Sequence, residues 1–501
     1  MKYCWLLLLA LFAARLPAWG GTIQRGTSEA DTTDQKIGLN YQISTSLLAS
    51  TARNTPFWLR TNQFGRVPSE SPALIVGGKL SRDFIGKKWD WGFGVAPIVQ
   101  IAEQSRVILP EAFVKAKFWK IELWGGRRRQ IVGLVGDSTL TSGSYVESGN
   151  ALPIPRVQIG FSDYVSVFNG LFSFKGFFAH GWFDDNPVVK NHFLHQKTFY
   201  ARLGKSTWPI RLYGGFNHNV QWGGKIVTPN KYTVRDHLPS DWIDYWYVIS
   251  GKRIPTFGFV DPDKYDAIDR GNRIGNHLGS LDLGLDISTR SGKIMLYRQN
   301  VYDDGSLFQL ANIVDGLNGI SWTGNASAHD GFYTNRVTLE YLNTVSQGGS
   351  EFTLDGGPRG QDNYFNHAQY WGWVYGGRTI GTPFITPSVS TREALQSPDN
   401  VLNYSNNTRV RMLHLGLAGG YKSLTYLLKL SYSENLGVYS RPFPKNTNQF
   451  SSFLELACPL RLGSAKGLRG SFRIGSDWGQ LYDNSTGVYI SLIKSGFVSG
   501  K

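Results

Sequence analysis

The sequence predicts an all-β chain, a transmembrane antiparallel β-barrel, on three observations. Apolar residues fall on alternate positions in many short segments. An export-type segment opens the chain. After it, no apolar run is long enough to cross a bilayer as a helix. The alternation is clearest where Leu281, Leu283, Leu285 and Ile287 interleave with Asp282, Gly284, Asp286 and Ser288. Arg290-Ser291-Gly292-Lys293 then turns the chain into a partner strand at Ile294 and Leu296. Period-two spacing puts one set of side chains on each face of a sheet. Here one face is greasy and the other carries carboxylates and glycine. Repeated in an exported, tryptophan-rich chain, such hairpins fit a barrel with lipid outside and water inside.

The first twenty residues read as a signal peptide. Lys2 gives the positive start, Trp5 to Ala14 the short apolar core, and Ala18-Trp19-Gly20 the small residues of a cleavage site. Cleavage is expected near Gly20, and Cys4 is badly placed for lipidation. Cys458 then remains as the single cysteine, which excludes an intramolecular disulfide. Hydrogen bonds and burial must hold the fold, and a closed barrel leaves no strand edge unpaired.

Composition agrees. Hydrophobic residues make up 41% of the chain, modest for a membrane protein but suited to strands with one lipid face. The 24 tyrosines and 16 tryptophans fit interfacial girdles, and such rings also stack on sugars. The net charge of +15 favours a polyanionic partner. For an exported chain, nucleic acid is not expected. Acidic polysaccharide and lipopolysaccharide phosphate fit, and loop solvation accounts equally for the excess.

Strands are expected at Ile37 to Ile43, around Phe57 to Leu59, at Trp89 to Val95, and in a hairpin turning at Trp119-Lys120. Phe172 to Phe178, Phe199 to Leu203 and Ile210 to Phe216 follow. The last third reads as hairpins turning at Lys422-Ser423 and at Gly463 to Gly467, with Tyr489 to Phe497 closing the barrel. About 16 to 18 strands suit this length. Thr22 to Gln35 reads as a flexible lead-in, and residues 36–501 as one barrel. Three stretches break the rhythm and read as inserted plug or loop segments: about 225–276, 300–323 and 348–407. In the first, Ser240 is placed to cap a short helix bearing Trp242, Tyr245, Trp246 and Ile249. That amphipathic helix is expected to cover a barrel mouth or pack within it.

No nucleophile elbow, His-Glu-x-x-His or phosphate loop is present. His192 and His195 lack the carboxylate of a metalloprotease pattern and read as loop histidines. Asp261-Pro262-Asp263 and Asp303-Asp304-Gly305 lack EF-hand spacing. No catalytic residue, metal or cofactor is assigned. The informative groupings are polar and aromatic: Arg298, Asp303 and Asp304; Asp315 and Asn318; Asn363 and His367; Trp371, Trp373 and Tyr375; and Arg378. Planar rings cover the apolar face of a sugar, and Arg, Asn and Asp bind hydroxyls or uronates. A self-satisfied network packing loops into the lumen is the other reading of the same residues. Trp371, Trp373 and Tyr375 are the expected stacking platforms. Arg298 and Arg378 are expected to pair with carboxylates or fix the plug, and the aspartates and Asn318 to hold the loops.

The run RQNVYDDGSLFQLANIVDGLNGIS resembles the most distinctive block of the Wzi-like capsule assembly family, in its Bacteroidetes-type branch. PFWLRTNQFGRVP, HNVQWGG at 218–224 and DNYFNHAQYWGWVYGGRTIGTPF at 362–384 resemble further blocks, in the same order. The resemblance implies an eighteen-stranded outer-membrane barrel of a Gram-negative bacterium, obstructed by loops and short helices. It implies a non-enzymatic, lectin-like role in attaching or organising capsular polysaccharide, beside outer-membrane lipid, lipopolysaccharide and capsule export components. A diffusion channel for sugars or ions is the competing expectation.

Overall fold

Alternation at residues 281–287 becomes the wall of a cylinder. The computed structural model describes residues 38–499 apart from 231, 232, 234, 255–263, 304–309, 326–330, 352–359, 397–401 and 464. The expected signal peptide and lead-in, Ile37, Asp304 and Asp261-Pro262-Asp263 lie outside the described residues. Eighteen strands form one sheet. They are β1 (Gly38–Ser50), β2 (Ala73–Arg82), β3 (Trp89–Ile101), β4 (Arg106–Phe118), β5 (Ile121–Arg127) and β6 (Arg156–Val167). Then come β7 (Phe172–Trp182), β8 (Phe193–Leu203), β9 (Ile210–Trp222), β10 (Asn276–Ser288), β11 (Gly292–Asp303) and β12 (Gly316–Gly324). The last six are β13 (Phe332–Asn343), β14 (Val410–Tyr421), β15 (Leu424–Asn435), β16 (Asn448–Leu462), β17 (Ala465–Gly479) and β18 (Ser485–Ser499). Each strand pairs antiparallel with its sequence neighbours, and β1 meets β18 from Gly38↔Ser499 to Ser50↔Gly487, which closes the barrel.

Parity assigns the faces. On β10, Leu283 is 59% exposed and points outward, whereas Asp282 is buried inside. On β18, Ile490 and Leu492 face out while Ser491 bonds Ser46 across the inner wall at 3.0 Å. The connections divide by end. Those on the side of Gly38 and Ser499 are short, the longest running 325–331, while the opposite end carries 51–72, 128–155, 223–275 and 344–409.

Phe57 to Leu59, expected as strand, form one helical turn, α1 (Phe57–Arg60), inside the bore. It sits against the inner wall where β17 and β18 carry glycine: a Cβ at Gly475 would stand 2.9 Å from Leu59 Cγ. Of the stretch 300–323, expected as an insertion, residues 300–303 instead complete β11 and 316–323 lie in β12. Gly316, Gly319 and Gly324 weaken the apolar signal of that strand without preventing its pairing.

The helix of the 225–276 insertion exists, as α2 (Trp242–Ser250), but Asp241 caps it, and it covers neither mouth nor lumen. It lies on the outer wall. Val220 and Trp222, which share the outward face of β9, pack with Val248 and Tyr245, and Trp222 stacks on Tyr245 at 4.8 Å. Trp242, Ile243 and Trp246 remain exposed on its other side. A helix apolar on both faces is stable between a protein wall and acyl chains. A smaller helix, α3 (Ala267–Gly271), follows.

Leu492 stands at the middle of β18 on the outward face, so Leu492→Arg is expected to destabilise the barrel by about 2–4 kcal/mol. Equilibrium unfolding from lipid vesicles measures this.

Candidate functional site

The bore is crossed by three loop-side segments: 51–72, 128–155 and the described parts of 344–409. Each is tied to polar side chains on the inner wall. Glu340 of β13, fully buried, accepts Thr141 Oγ1–H at 2.6 Å, the Ser142 N–H at 2.5 Å and the Tyr297 hydroxyl at 2.6 Å. Asp282 of β10 accepts the Leu134 N–H at 2.8 Å, and Asp477 of β17 accepts the Phe57 N–H at 2.8 Å. Gln299 of β11 accepts the Tyr145 N–H at 2.9 Å and donates to the Leu134 carbonyl at 3.2 Å. From β9, Gln221 donates to the Gly372 carbonyl at 3.1 Å. Hydrogen bonds to charged groups contribute about 1.5–3 kcal/mol each, so several wall strands hold the plug independently.

The sequence-selected residues divide between the plug and the outer wall. Arg378 is buried in the plug and donates to the Arg60 carbonyl at 2.9 Å, the Val67 carbonyl at 2.5 Å and Ser69 Oγ at 3.2 Å. It fixes the plug through backbone carbonyls rather than a carboxylate. Burial, then the nearby cations Arg60 and Arg106, push its pKa down to about 9. Asp315 accepts the Asn343 amide, the Ser346 and Gln347 N–H groups and the Tyr364 hydroxyl at 2.7–3.0 Å, and so joins β12 to the plug. Its desolvation still raises its pKa. Asp303 ends β11, buried. Asn363 accepts the Asn366 amide at 3.1 Å and Thr408 Oγ1–H at 3.2 Å.

Of the three expected platforms, Trp373 and Tyr375 are only 1% and 3% exposed, which closes their faces to a sugar. Trp373 donates to the Val146 carbonyl at 2.7 Å, and the Tyr375 hydroxyl accepts from Arg127 at 2.5 Å. Both rings form plug core with Tyr145, Phe365 and Ile380. Trp371 is half-buried, its ring edge-on to Tyr404 at 5.0 Å, and it pairs through its backbone with His367, which is half-buried as well. This corner lies among the long loops, since Asn230 donates to the Ala368 carbonyl and Asn186 to the Tyr370 carbonyl. Arg298 and Asn318 stand apart from all of these, on the outer wall.

One polar chamber escaped the sequence reading. About 240 Å³ of the bore is lined by Arg128, Arg129 and Lys175 with Gln158, Thr198 and Tyr200. Arg129 pairs with Glu111 at 2.8 Å and Arg128 with Glu122. The Lys175 ammonium lies 5.0 Å from the Tyr164 ring and 5.7 Å from the Tyr200 ring, and Asp163 is the carboxylate that acts on it, without forming an ion pair among the described residues. Cation, aromatic face and neutral hydrogen-bonding groups together suit an anionic sugar. The signal was available: Arg127-Arg128-Arg129 follows a strand, and Lys175 interrupts a run of phenylalanines.

His192 and His195, read as solvated loop residues, are both buried. His192 stacks on Phe183 at 4.5 Å, and His195 faces outward from β8 against Tyr245 of α2.

No family model and no curated relative matches the chain. Among solved structures, Wzi, an outer-membrane protein involved in group 1 capsule assembly in Escherichia coli and described as a carbohydrate-binding β-barrel, aligns at 15% identity. That alignment covers 91% of this chain and 85% of Wzi, with a TM-score of 0.54. OccK5 (OpdH) of Pseudomonas aeruginosa aligns at 8% identity over 93% of this chain and 99% of its own, with a TM-score of 0.46. A BenF-like porin from Pseudomonas fluorescens Pf-5 aligns at 11% identity over 92% and 98%, with a TM-score of 0.45. The likeness to Wzi is one of fold: the chain is an outer-membrane-type barrel of Wzi-like architecture.

Burial pushes the pKa of His192 down to about 3 and that of His367 to about 4. An unfolded histidine takes up its proton near 6.5. Between those values the unfolded segment binds more protons than the folded one, so stability falls as pH falls, by about 1.4 kcal/mol per unit for each histidine. Hydrogen exchange is expected to show residues 183–192 losing protection between pH 6.5 and pH 4.5, and His192→Phe, which keeps the stack on Phe183, to flatten its share of that dependence.

Proposed function

We propose that this chain is a closed outer-membrane barrel that binds acidic surface polysaccharide and does not pass solutes. The observation that carries the reading is the plug: wall carboxylates and amides on β9, β10, β11, β13 and β17 bond its backbone from several sides of the bore. A diffusion pathway needs an open constriction, whereas a binding protein needs a fixed scaffold. The carbohydrate binding described for Wzi supports the same assignment.

In this reading the protein is exported to the outer membrane of a Gram-negative bacterium after cleavage near Gly20. It belongs to the Bacteroidetes-type branch of the Wzi-like family, its role is non-enzymatic, and it works beside capsule export components. The long loops face outward, following the asymmetry of such barrels. Trp371, the one of the three sequence-selected rings that is not fully buried, stacks on the glycan beside His367 and Asn363. The chamber at Arg128, Arg129 and Lys175 gives the excess positive charge a place to meet an acidic unit. That chamber is also the observation that favours a channel for anionic sugars.

Two measurements separate the readings. In planar bilayers the wild-type barrel is expected to be electrically silent, and Arg378→Met, which leaves the Arg60 and Val67 carbonyls unpaired, to produce intermittent openings. In equilibrium binding, a uronate-containing polysaccharide is expected to bind in preference to a neutral one, with Trp371→Ala weakening it about tenfold, or about 1.4 kcal/mol. Steady large conductance by the wild type would establish the channel. Equal binding of charged and neutral glycans would remove the acidic specificity.

A further inference from the structure

A concavity of about 590 Å³ lies on the outer wall across β10–β14, floored by Leu283, Leu285, Leu296, Ile320, Leu339 and Leu413. Parity puts all six on the lipid side: Leu283, Leu296, Ile320, Leu339 and Leu413 are 38–59% exposed, while Asp282, Tyr297 and Glu340 from the same strands face the bore. At the loop-side end of this apolar groove stands a cation. Arg298, two residues from Leu296, shares its outward face, and its guanidinium meets neutral acceptors. Nε donates to Asn300 Oδ1 at 2.5 Å, Nη1 to Asn318 Oδ1 at 2.7 Å, and Nη2 to the Ile313 carbonyl at 2.5 Å and, more weakly, to the Asp315 carbonyl at 3.4 Å. The Asp315 carboxylate is turned to the plug, where four donors occupy it. Among the described residues, Arg298 has no anionic partner.

Depth in the membrane follows from the neighbours. Tyr341, Tyr432 and Trp478 are exposed outward within four residues of the loop-side ends of β13, β15 and β17, where an aromatic girdle marks the interface. The guanidinium reaches the carbonyl of Asp315, directly before β12 begins. It therefore sits where headgroups meet acyl chains. Beside it Leu310, Ile313 and Val314 hold exposed apolar side chains. A charge at this depth is costly unless it meets an opposite one.

We infer that this wall binds one phosphorylated, multiply acylated glycolipid of the lipid A type. One acyl chain fills the groove, and a phosphate lies against the remaining Arg298 Nη1 proton and the Asn318 amide nitrogen. Arg–phosphate contacts are among the strongest charge-assisted hydrogen bonds. The inference rests on the outer-membrane reading with the loops facing outward, and on neither glycan binding nor closure of the bore.

Native mass spectrometry of detergent-purified, delipidated full-length protein tests it. Lipid A, phosphatidylglycerol and phosphatidylethanolamine are offered to the wild type, Arg298→Gln and Ile320→Trp. The wild type is expected to retain one lipid A at least tenfold better than either phospholipid. Arg298→Gln is expected to lose that preference tenfold. Ile320→Trp, which fills the groove and leaves the guanidinium intact, is expected to lose lipid A to a similar extent. Equal retention of phosphatidylglycerol and lipid A would overturn the choice of lipid. Unchanged lipid A binding by Ile320→Trp would overturn the site, even if Arg298→Gln failed to fold. Neither result depends on conductance or polysaccharide binding, so this inference and the proposed function fail separately.

Discussion

The structure depends on mutual satisfaction between buried wall carboxylates and the plug's backbone. Asp282, Glu340 and Asp477 point into a bore filled with protein, where an unpaired ion would carry a desolvation cost of several kcal/mol. The plug has the complementary problem. It is irregular chain, and its N–H groups have no ladder to enter. Each solves the other: Ser142, Leu134 and Phe57 donate the amides that those carboxylates accept. Removing either half leaves the other with unpaired polar groups, so the obstruction is part of the fold rather than a lid laid across it.

That interdependence explains what the sequence disclosed and what it hid. Barrel strands were legible because a period of two is a local property: Leu281 to Ile287 shows its two faces without reference to any other segment. Hairpin turns at Trp119-Lys120 and Lys422-Ser423 were legible for the same reason. The destination of irregular chain is a long-range property. Trp373 and Tyr375 have the composition of a sugar platform and equally that of a hydrophobic core, and contacts with Val146 and Arg127, more than two hundred residues away, decide between them. Strand β12 was missed because glycine at 316, 319 and 324 diluted its pattern. The outward direction of Arg298 was within reach. Counting by twos from Ile294 and Leu296 lands on it, but its position in a polar run suggested a loop.

The positive charge of the chain acquires a partial address. Loop solvation would scatter lysine and arginine over the exposed ends, yet Arg128, Arg129 and Lys175 line the bore. Two are matched by Glu122 and Glu111, and Lys175 is held by ring faces instead. A cation stabilised by tyrosine faces keeps its charge available to an incoming anion, because no carboxylate must be displaced first.

Polar side chains on the outer wall follow a rule of their own. Along β7, β8 and β10 the outward row near the loops contains His180, His195 and His277, groups poorly suited to acyl chains. There α2 lies across the wall: Tyr245 packs on His180 and His195. The helix then returns an apolar surface to the membrane through Trp242, Ile243 and Trp246. Arg298 and Asn318 present the same difficulty a few strands away, and there the protein supplies only part of the cover. Two backbone carbonyls and two amide side chains meet the guanidinium's hydrogen bonds, but none carries negative charge, and the groove beneath is left open. A wall that shields one polar patch with its own helix and leaves the other half-covered above an acyl-sized trough is complete only when lipid supplies what the second patch lacks.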